Sequence, residues 1–581
     1  MLTNTEISQI LRSVAAAYKI HGEDKNRFRI AAYERAADSV EHASSELKDV
    51  WDEGKLVDIA GIGPSIAEHL DELFKTGKSD HFEKVKDGIY PSVFELMKIN
   101  GIGPRSANQL ARDLGIKSAE DAVGRLKKAA KEGKIAGLEN FGRESEQAIL
   151  IATREYEEKP EDRMFINKAQ MLADELIVWM RKSRVVKNAD ALGSLRRKSP
   201  TVGDIDIAVA ASDPEGAIEH FTKYSKKSRV LERGDRTASI LLAGNIQVDL
   251  MVERPESYGA LLQHFTGSKH HNIALRELAL KIGLSLSDYG IKKLGKAKIY
   301  EFETEEKLYS ALGMDWIPPE LREGAGELEA ALQGTLPKLV EVSDMKGDLH
   351  MHSSFDIETS HDLGQSTIKE HAEKAKSLGY EYISLSEHNP SKSSHTKSEI
   401  TTLIRAKRDE IAKVKSSVKI FNSLEIDILP DGGLPIADGA FEYLDFAICS
   451  IHSSFSQSKK EMTERVIRGL SHPKVKIFGH PTTRILNKRE GIELDWERIF
   501  SFCTKNNKWL EINSSTSRLD LPDFLVREAV KAGVKLVVNT DSHHAQEMDN
   551  MRWGVAVARR GWAEKADIVN TLPMAQFENL L

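Results

Sequence analysis

The sequence predicts a multidomain α/β chain: helical N-terminal domains, a mixed sheet in the middle, and a C-terminal barrel of alternating strands and helices. Three observations predict it. Two Gly-Ile-Gly-Pro turns, at 61–64 and 101–104, each open a helical pattern within the first 160 residues. Strand-like patterning in the middle is punctuated by acids, as Gly203-Asp204-Ile205-Asp206 and Val248-Asp249-Leu250. Of nineteen histidines, eleven follow residue 344, most of them just after short apolar runs.

At 581 residues the chain exceeds one hydrophobic core and divides into roughly three to five domains. Hydrophobic residues make up 40% and charged residues 29%, with no apolar run long enough to span a bilayer. The N-terminus lacks the charged-then-apolar pattern of a secretory signal. Only Cys449 and Cys503 are present, which excludes a disulfide framework and makes a reducing compartment the default. A cytoplasmic monomer with no membrane partner is therefore expected. The formal net charge of −7 does not advertise nucleic-acid binding. It does not forbid it, because metal-site carboxylates add negative charge and local patches decide contact.

In the N-terminal region, Gly61-Ile62-Gly63-Pro64-Ser65 precedes a helix with Ile66, Leu70, Leu73 and Phe74 on one face. Gly101-Ile102-Gly103-Pro104-Arg105 precedes a second, with Ala107, Leu110, Ala111 and Leu114 inward. Each turn aims backbone N–H groups from a helix N-terminus at a phosphate, without sequence preference. Gly61, Gly63, Gly101 and Gly103 are thus candidate DNA contacts. Leu138-Glu139-Asn140-Phe141-Gly142 is a weaker third turn. One Gly-x-Gly is often an ordinary helix connection; two copies forty residues apart are not.

Residues 185–255 read as mixed strands and helices, including a hairpin whose turn is Gly244-Asn245. On an extended strand Asp204 and Asp206 face one way and Ile205, Ile207 and Val209 the other. Asp249 likewise opposes its apolar neighbours. Three carboxylates at the rim of a sheet are what two divalent ions need to clamp an in-line phosphoryl displacement. A lone Asp-x-Asp is commonly just a polar strand face. Here Gly193-Ser194-Leu195-Arg196-Arg197 supplies a turn and an arginine pair suited to a polyphosphate.

With His264-Phe265-Thr266-Gly267-Ser268-Lys269-His270-His271-Asn272, these motifs resemble the core of family X DNA polymerases, over about residues 1–322. The two turns are similar to the helix-hairpin-helix of DNA-repair enzymes. The resemblance implies a nucleotidyltransferase palm with an α+β thumb, using Mg2+ or Mn2+, dNTPs and gapped or primed double-stranded DNA. It implies Asp204, Asp206 and Asp249 as catalytic, metal-binding carboxylates, with Asp249 helping to activate the primer 3′-hydroxyl. Arg163, Ser194, Arg197 and Gly203 match triphosphate contacts. Phe265 and Gly267 match the sugar-sensing turn, and Asn272 the residue over the base and minor groove. Two positions depart from the family. His264 replaces the usual Tyr, which puts the strength of deoxyribose selection in doubt. His69 stands where polymerase beta carries its Schiff-base lysine, with Ser65 one turn earlier, and an imidazole does not readily form an iminium. No lyase activity of that kind is expected, although Asn26, Arg27, Arg29, Tyr33 and Arg35 suit a 5′-phosphate.

Seven strand-like runs follow: 346–350, 382–386, 420–425, 446–451, 476–479, 509–512 and 535–539. Helix-length segments separate them, which predicts a (βα)7-like barrel of parallel strands. Nearly every run ends in a potential ligand: His350 and His352, His388, Glu425, His452, His480, then Asp541 and His543. His-Met-His alternation puts both imidazoles on one face, and imidazoles with carboxylates suit zinc, manganese or iron. Cys449 is expected within its strand and Cys503 in the core. The pattern resembles the PHP (polymerase and histidinol phosphatase) domain, over about residues 344–581. That resemblance implies up to three divalent metals (Mn2+, Zn2+ or Fe2+) and one more ligand soon after His352. Asp362 is favoured, because Ser366-Thr367-Ile368 opens a helix as the family's does; Asp356 and His361 stay open. Glu387-His388 replaces the family's Asp-His pair. Arg484 and Arg518, near ligand-bearing strand ends, are as suited to a phosphate backbone as to solvent.

The expected domains are a helical N-terminal domain (1–88), a fingers-like helical domain (89–158), the palm (159–255), the thumb (256–321), a linker (322–343) and the PHP domain (344–581). The expected function is gap-filling DNA synthesis in repair, joined to metal-dependent 3′–5′ exonuclease and abasic-site endonuclease activities. Two alternatives remain: a nuclease whose polymerase half mainly holds DNA, and a small-molecule phosphatase fused to a DNA-binding module.

Overall fold

The computed structural model describes residues 4–41, 47, 51, 54–59, 61–99, 101–158 and 163–581. The chain forms two compact units, 1–161 and 162–581. The first is helical. Its long α1 (Asn4–Glu41) is interrupted at Gly22, whose φ of 131° and ψ of 103° no helix accommodates. Helices α2 (Pro64–Thr76) and α3 (Pro104–Asp113) start identically, from Gly63 at φ −79°, ψ 168° and from Gly103 at φ −78°, ψ 170°. Proline at the first helical position is preorganised for that start and lacks the N–H a helix leaves unpaired. Two apolar clusters hold the unit, one around Leu11, Leu70 and Phe82, the other around Leu96, Leu110 and Leu126.

The second unit begins with α4 (Ile166–Met180) and a five-stranded mixed sheet. Its strands are β1 (Val186–Ala191), β2 (Ile205–Ala211), β3 (Lys227–Arg233), β4 (Thr237–Leu242) and β5 (Ile246–Glu253), in the order β1-β2-β5-β4-β3. The short α5 (Gly193–Arg196) links β1 to β2, and α6 (Pro214–Thr222) follows β2. Ile205, Ile207 and Val209 pack beneath α4 and α6, while Ala208 and Ala210 face α7 (Tyr258–Thr266). Alternation along β2 therefore gives Asp206 to the α7 face. The β4–β5 hairpin turns at Gly244 and Asn245, both with positive φ, as the sequence predicts.

After α7 come α8 (Lys269–Lys281) and an antiparallel sheet of β6 (Leu284–Ser287), β7 (Gly290–Lys293) and β8 (Ile299–Tyr300). The stretch expected as a linker is packed at both ends. Arg322 is fully buried and donates to Glu305 and to the Ile317 carbonyl, while the Val340 N–H donates to the Ala563 carbonyl.

The C-terminal strands number eight, because the run at 420–425 is divided into two. One parallel sheet holds β9 (Gly347–Asp348), β10 (Tyr382–Leu385) and β11 (Lys419–Asn422). The other holds β12 (Glu425–Asp427), β13 (Ala447–Ser450), β14 (Val475–Phe478), β15 (Trp509–Asn513) and β16 (Leu536–Asn539). Parallel bridges Met351–Ser542 and His388–Glu425 join them at the two seams. Helices α9 (Ile368–Ser377), α10 (Lys397–Ile411), α11 (Lys459–Leu470), α12 (Trp496–Asn506), α13 (Asp523–Lys531) and α14 (Met551–Arg560) surround the strands. Thr367 caps α9 in a reciprocal box with Glu370. Cys449 and Cys503 are free and buried.

The final α15 (Met574–Glu578) inserts Phe577 among Tyr382, Phe421, Phe446 and Trp509, stacked 4.6 Å from the Tyr382 ring. Tyr382 and Trp509 are the first residues of their strands, so Phe577 fills the end opposite the ligand-bearing loops. Phe577→Ala should cost about 3–5 kcal/mol of barrel stability, as buried Phe truncations do, measurable by chemical denaturation.

Candidate active sites

In the palm, parallel β2 and β5 are in register so that Asp206 lies directly beside Asp249. Asp204 sits in the bend before β2 and is exposed, so the two acids of Gly203-Asp204-Ile205-Asp206 do not share a strand. Chain curvature nonetheless brings one oxygen of each of Asp204, Asp206 and Asp249 within 4.8 Å of the others. Asp249 is oriented by Ser239, its neighbour on β4, and by Gln247, whose Nε2 donates to both carboxylate oxygens at 3.0 Å. Burial, and then the charges of Asp204 and Asp249, raise Asp206 to about 7. Gly193 makes this closeness possible. Its φ is +56°, and a Cβ there would occupy the space of the Asp206 carboxylate.

Of the residues matched to triphosphate and sugar contacts, Gly203 adjoins Asp204 and the Arg197 charge acts on Asp206. Arg197, just after α5, donates from Nε to Glu323 at 3.0 Å and from Nη1 to the Thr266 carbonyl at 2.6 Å. Gly267 ends α7 with φ +68°, and a Cβ there would lie 3.1 Å from Arg197 Nη1. Arg196, the other half of the expected pair, faces away: Nη1 and Nη2 donate to buried Glu305 at 2.9 and 2.8 Å. Ser194 lies within α5. Arg163 donates to Thr201 and approaches Gly203 closely. Phe265 packs edge-on against His264, 4.8 Å between ring centres. Asn272 donates to the His264 carbonyl at 2.6 Å and accepts from Gln263. Burial, followed by the Arg276 charge, lowers the pKa of His264, so its ring is neutral near pH 7.

In the first unit, the Tyr33 hydroxyl lies 3.1 Å from His69 Nδ1, and the His69 ring stacks on His81 at 4.0 Å. Burial lowers the pKa of both imidazoles. His69 is therefore a stacked imidazole, held between Tyr33 and His81, whose charged form burial disfavours.

At the barrel mouth, fully buried Glu425 is the hub. His388 Nδ1 lies 2.9 Å from it, His480 Nε2 2.8 Å, and His350 and His452 Nε2 each 3.3 Å. His352 Nε2 is 3.1 Å from Asp541. Asp362 reaches His543 at 3.2 Å and His388 at 3.6 Å, although its side chain is 77% exposed. His361 joins His388 and His452 in another ligand-type group and lies 3.1 Å from Asp427. Asp356 accepts from the Glu358 N–H within its own loop. Among the open alternatives, the geometry thus brings His361 and Asp362 to the site and leaves Asp356 in a turn.

Two carboxylates here were missed by sequence reasoning. Asp427 bonds His452 Nδ1 at 2.7 Å; its signal was the Glu425-Ile426-Asp427 alternation. Glu511, on an otherwise apolar strand, bonds His350 Nδ1 at 2.7 Å and accepts from the His480 N–H at 2.7 Å. Glu387 is buried against Lys407 and Ser353. Arg484 is spent on the Arg518 and Leu519 carbonyls, so its side chain ties a loop together rather than reaching out.

The donor set fits divalent cations. His350 Nε2, His388 Nδ1, Glu425 Oε2 and His543 Nε2 are buried without a hydrogen bond. Burial opposes charge on His388 and His452, yet Glu425, with Asp362 or Asp427, raises them to about 10 and about 9. Protons thus balance the carboxylates where cations would otherwise do so.

A carboxylate triad beside a Gly-Ser turn, and a histidine-carboxylate mouth on the same compact unit, define a nucleotidyltransferase joined to a metal-dependent phosphoesterase. Family models match as the helix-hairpin-helix domain (2–79), the DNA polymerase beta thumb (261–323) and the PHP domain (348–515). The chain is 31% identical to the DNA polymerase/3′-5′ exonuclease PolX of Bacillus subtilis, covering 99% of both chains. It is 24% identical to DNA polymerase lambda of Rattus norvegicus over 55% of this chain and 56% of that one. A probable phosphatase of Thermoanaerobacter sp. is 25% identical, over 39% of this chain and 89% of its own. The chain belongs to the family X DNA polymerases of the PolX type, which carry a C-terminal PHP domain. Among the described residues, no helix is long and apolar enough to cross a membrane.

Two measurements follow from the geometry. Below pH 7 Asp206 holds a proton that a cation must displace, so palm affinity for Mg2+ should fall about tenfold per unit below 7 and level off above it; calorimetric titration across pH 5.5–8.5 reads this. Glu511→Gln should weaken barrel metal retention by roughly 10–100-fold, as loss of a ligand-orienting carboxylate does, while leaving palm-dependent extension intact.

Proposed function

We propose that the palm fills short gaps in DNA during repair while the barrel trims DNA from its 3′ end. The chain is a DNA-directed DNA polymerase and a metal-dependent 3′–5′ exonuclease. The observation that carries this is the presence, in one compact unit, of two separate donor sets. One is built of three carboxylates beside a cationic turn, the other of imidazoles around Glu425.

Asp204, Asp206 and Asp249 hold Mg2+ or Mn2+ in this reading, since all-oxygen sites suit hard cations. Arg197, Ser194, Gly203 and Arg163 orient the triphosphate of an incoming dNTP. Phe265 and Gly267 line the sugar, Asn272 lies over the base, and Asp249 receives the proton of the primer 3′-hydroxyl. The barrel holds up to three of Mn2+, Zn2+ or Fe2+ through His350, His352, Asp362, His388, Glu425, His452, His480, Asp541 and His543, with His361 as a further donor. Divalent cations lower the pKa of a water and neutralise charge on the phosphorus under attack. Glu511 and Asp427 keep His350 and His452 in the tautomers that face the site. The Gly61–Gly63 and Gly101–Gly103 turns supply N–H groups to the DNA backbone. Extension of the barrel's chemistry to abasic sites belongs to the same reading, as does action as a monomer.

The phosphatase alternative has one supporting fact, the likeness of the barrel to a probable phosphatase. An intact palm triad and both hairpins argue against it. The nuclease-only alternative leaves the Asp206–Asp249 register without a purpose.

On gapped DNA with a labelled primer, Asp206→Ala should abolish extension by at least about 100-fold and retain degradation; His352→Ala should do the reverse. Loss of both activities in either variant would overturn the two-site assignment.

A further inference from the structure

We propose that Arg560, a residue of the barrel, is a positioning residue for the polymerase's nucleotide site, acting on Arg197 through a carboxylate that both share, Glu323. The inference rests on the reading of Arg197 as a triphosphate contact.

Arg560 ends α14, and its side chain is only 8% exposed. Its Nη1 donates to Glu323 Oε1 and to the Arg197 backbone carbonyl, both at 2.8 Å. Its Nε and Nη2 are fixed on Asp523, at 2.7 and 2.6 Å, at the start of α13. Arg197 donates from Nε to the same Glu323 oxygen at 3.0 Å. Two guanidinium groups, 363 residues apart in the chain, thus meet at one carboxylate oxygen. The backbone bond also holds the residue that ends α5, the helix whose first residues are Gly193 and Ser194.

The consequence is electrostatic. A dNTP brings several negative charges to Arg197 and competes with Glu323 for it. With Arg560 in place, Glu323 keeps a full cationic partner when Arg197 turns toward the phosphates. Without Arg560, the whole charge of a half-buried carboxylate falls on Arg197, and nucleotide binding must break that pair. Removing one member of such a network leaves its partner uncompensated, which is costly. A guanidinium's rigid fork also transmits orientation in a way an ammonium does not. Arg560 has no hydrogen bond to the aspartate triad or to the barrel's histidine ligands, so its loss should act on nucleotide affinity among the activities, while the Asp523 pair it leaves open bears on stability.

The test uses the full chain in single-nucleotide gap filling with Mg2+, following KM for dNTP and kcat separately, alongside 3′-end degradation. Arg560→Ala should raise KM about tenfold, a usual size for coupling inside one network, with kcat and degradation nearly unchanged. Arg560→Lys should fall between. Adding Glu323→Gln to Arg560→Ala should restore KM, because the competing carboxylate has lost its charge. Should Arg560→Ala fail to fold, Arg560→Lys and Glu323→Gln alone decide: the first must raise KM and the second must not. An unchanged KM in the Arg560 variants, no rescue by Glu323→Gln, or parallel loss of kcat and degradation would each overturn the proposal. Arg197→Ala separates the two levels. If it leaves KM unchanged, the nucleotide-contact reading fails; if it raises KM while Arg560→Ala does not, only the present inference fails.

Discussion

Acidic groups held closer together than they would sit in free solution shape both sites of the second unit. Asp206 beside Asp249, with Asp204 at hand, is an arrangement that free carboxylates would not adopt. Its partial protonation near neutrality shows what it costs. The barrel meets the same problem with imidazoles packed against Glu425: burial opposes their charge, yet Glu425 raises His388 and His452, while burial and its histidine neighbours lower His352. In both places the surrounding fold supplies the restraint. In the palm this is a parallel strand pair and a residue without a side chain; in the barrel it is a ring of strands closed at two irregular seams.

Much of this was legible in the sequence because the signals are local. Alternation put Asp206 on the face opposite Ile205 and Ile207, and the Gly-Asn pair marked the β4–β5 turn. The repeated Gly-Ile-Gly-Pro fixed two helix starts to within a few degrees of each other. Histidines after successive apolar runs located the barrel mouth because parallel strands all end at one rim. The limits were equally physical. Asp204 reads as a strand residue by spacing, but the bend before β2 is set by packing around Gly203 and Arg163. Arg196 and Arg197 are alike in residue type, and only the family resemblance singles out Arg197. Only buried Glu305, 109 residues away, removes Arg196 from the nucleotide side. Glu511 was hidden in an apolar strand, because its purpose is a bond to a histidine 161 residues earlier.

The segment 322–343 shows the same limit at the scale of a domain. Charge and glycine made it read as a linker, yet its start is built into the core through Arg322 and Glu305, and Glu323 lies between two arginines. The desolvation cost of a buried ion pair offsets much of its attraction, while removing one partner is strongly destabilising. Here these pairs tie the turn that carries Arg197 to the end of the barrel helix α14.

Gly193 carries this one step further, into the history such a chain can have. Any replacement there puts carbon where the Asp206 carboxylate lies, on a backbone with φ +56°. Even alanine there would require the Asp206 carboxylate to move, on a backbone that disfavours any side chain, so a substitution should act first on the palm triad. The barrel shares no atom with that clash, and a lineage that had lost the need to polymerise would keep a working trimming enzyme. A change at this one turn therefore bears on the palm triad and leaves the barrel's ligands as they are.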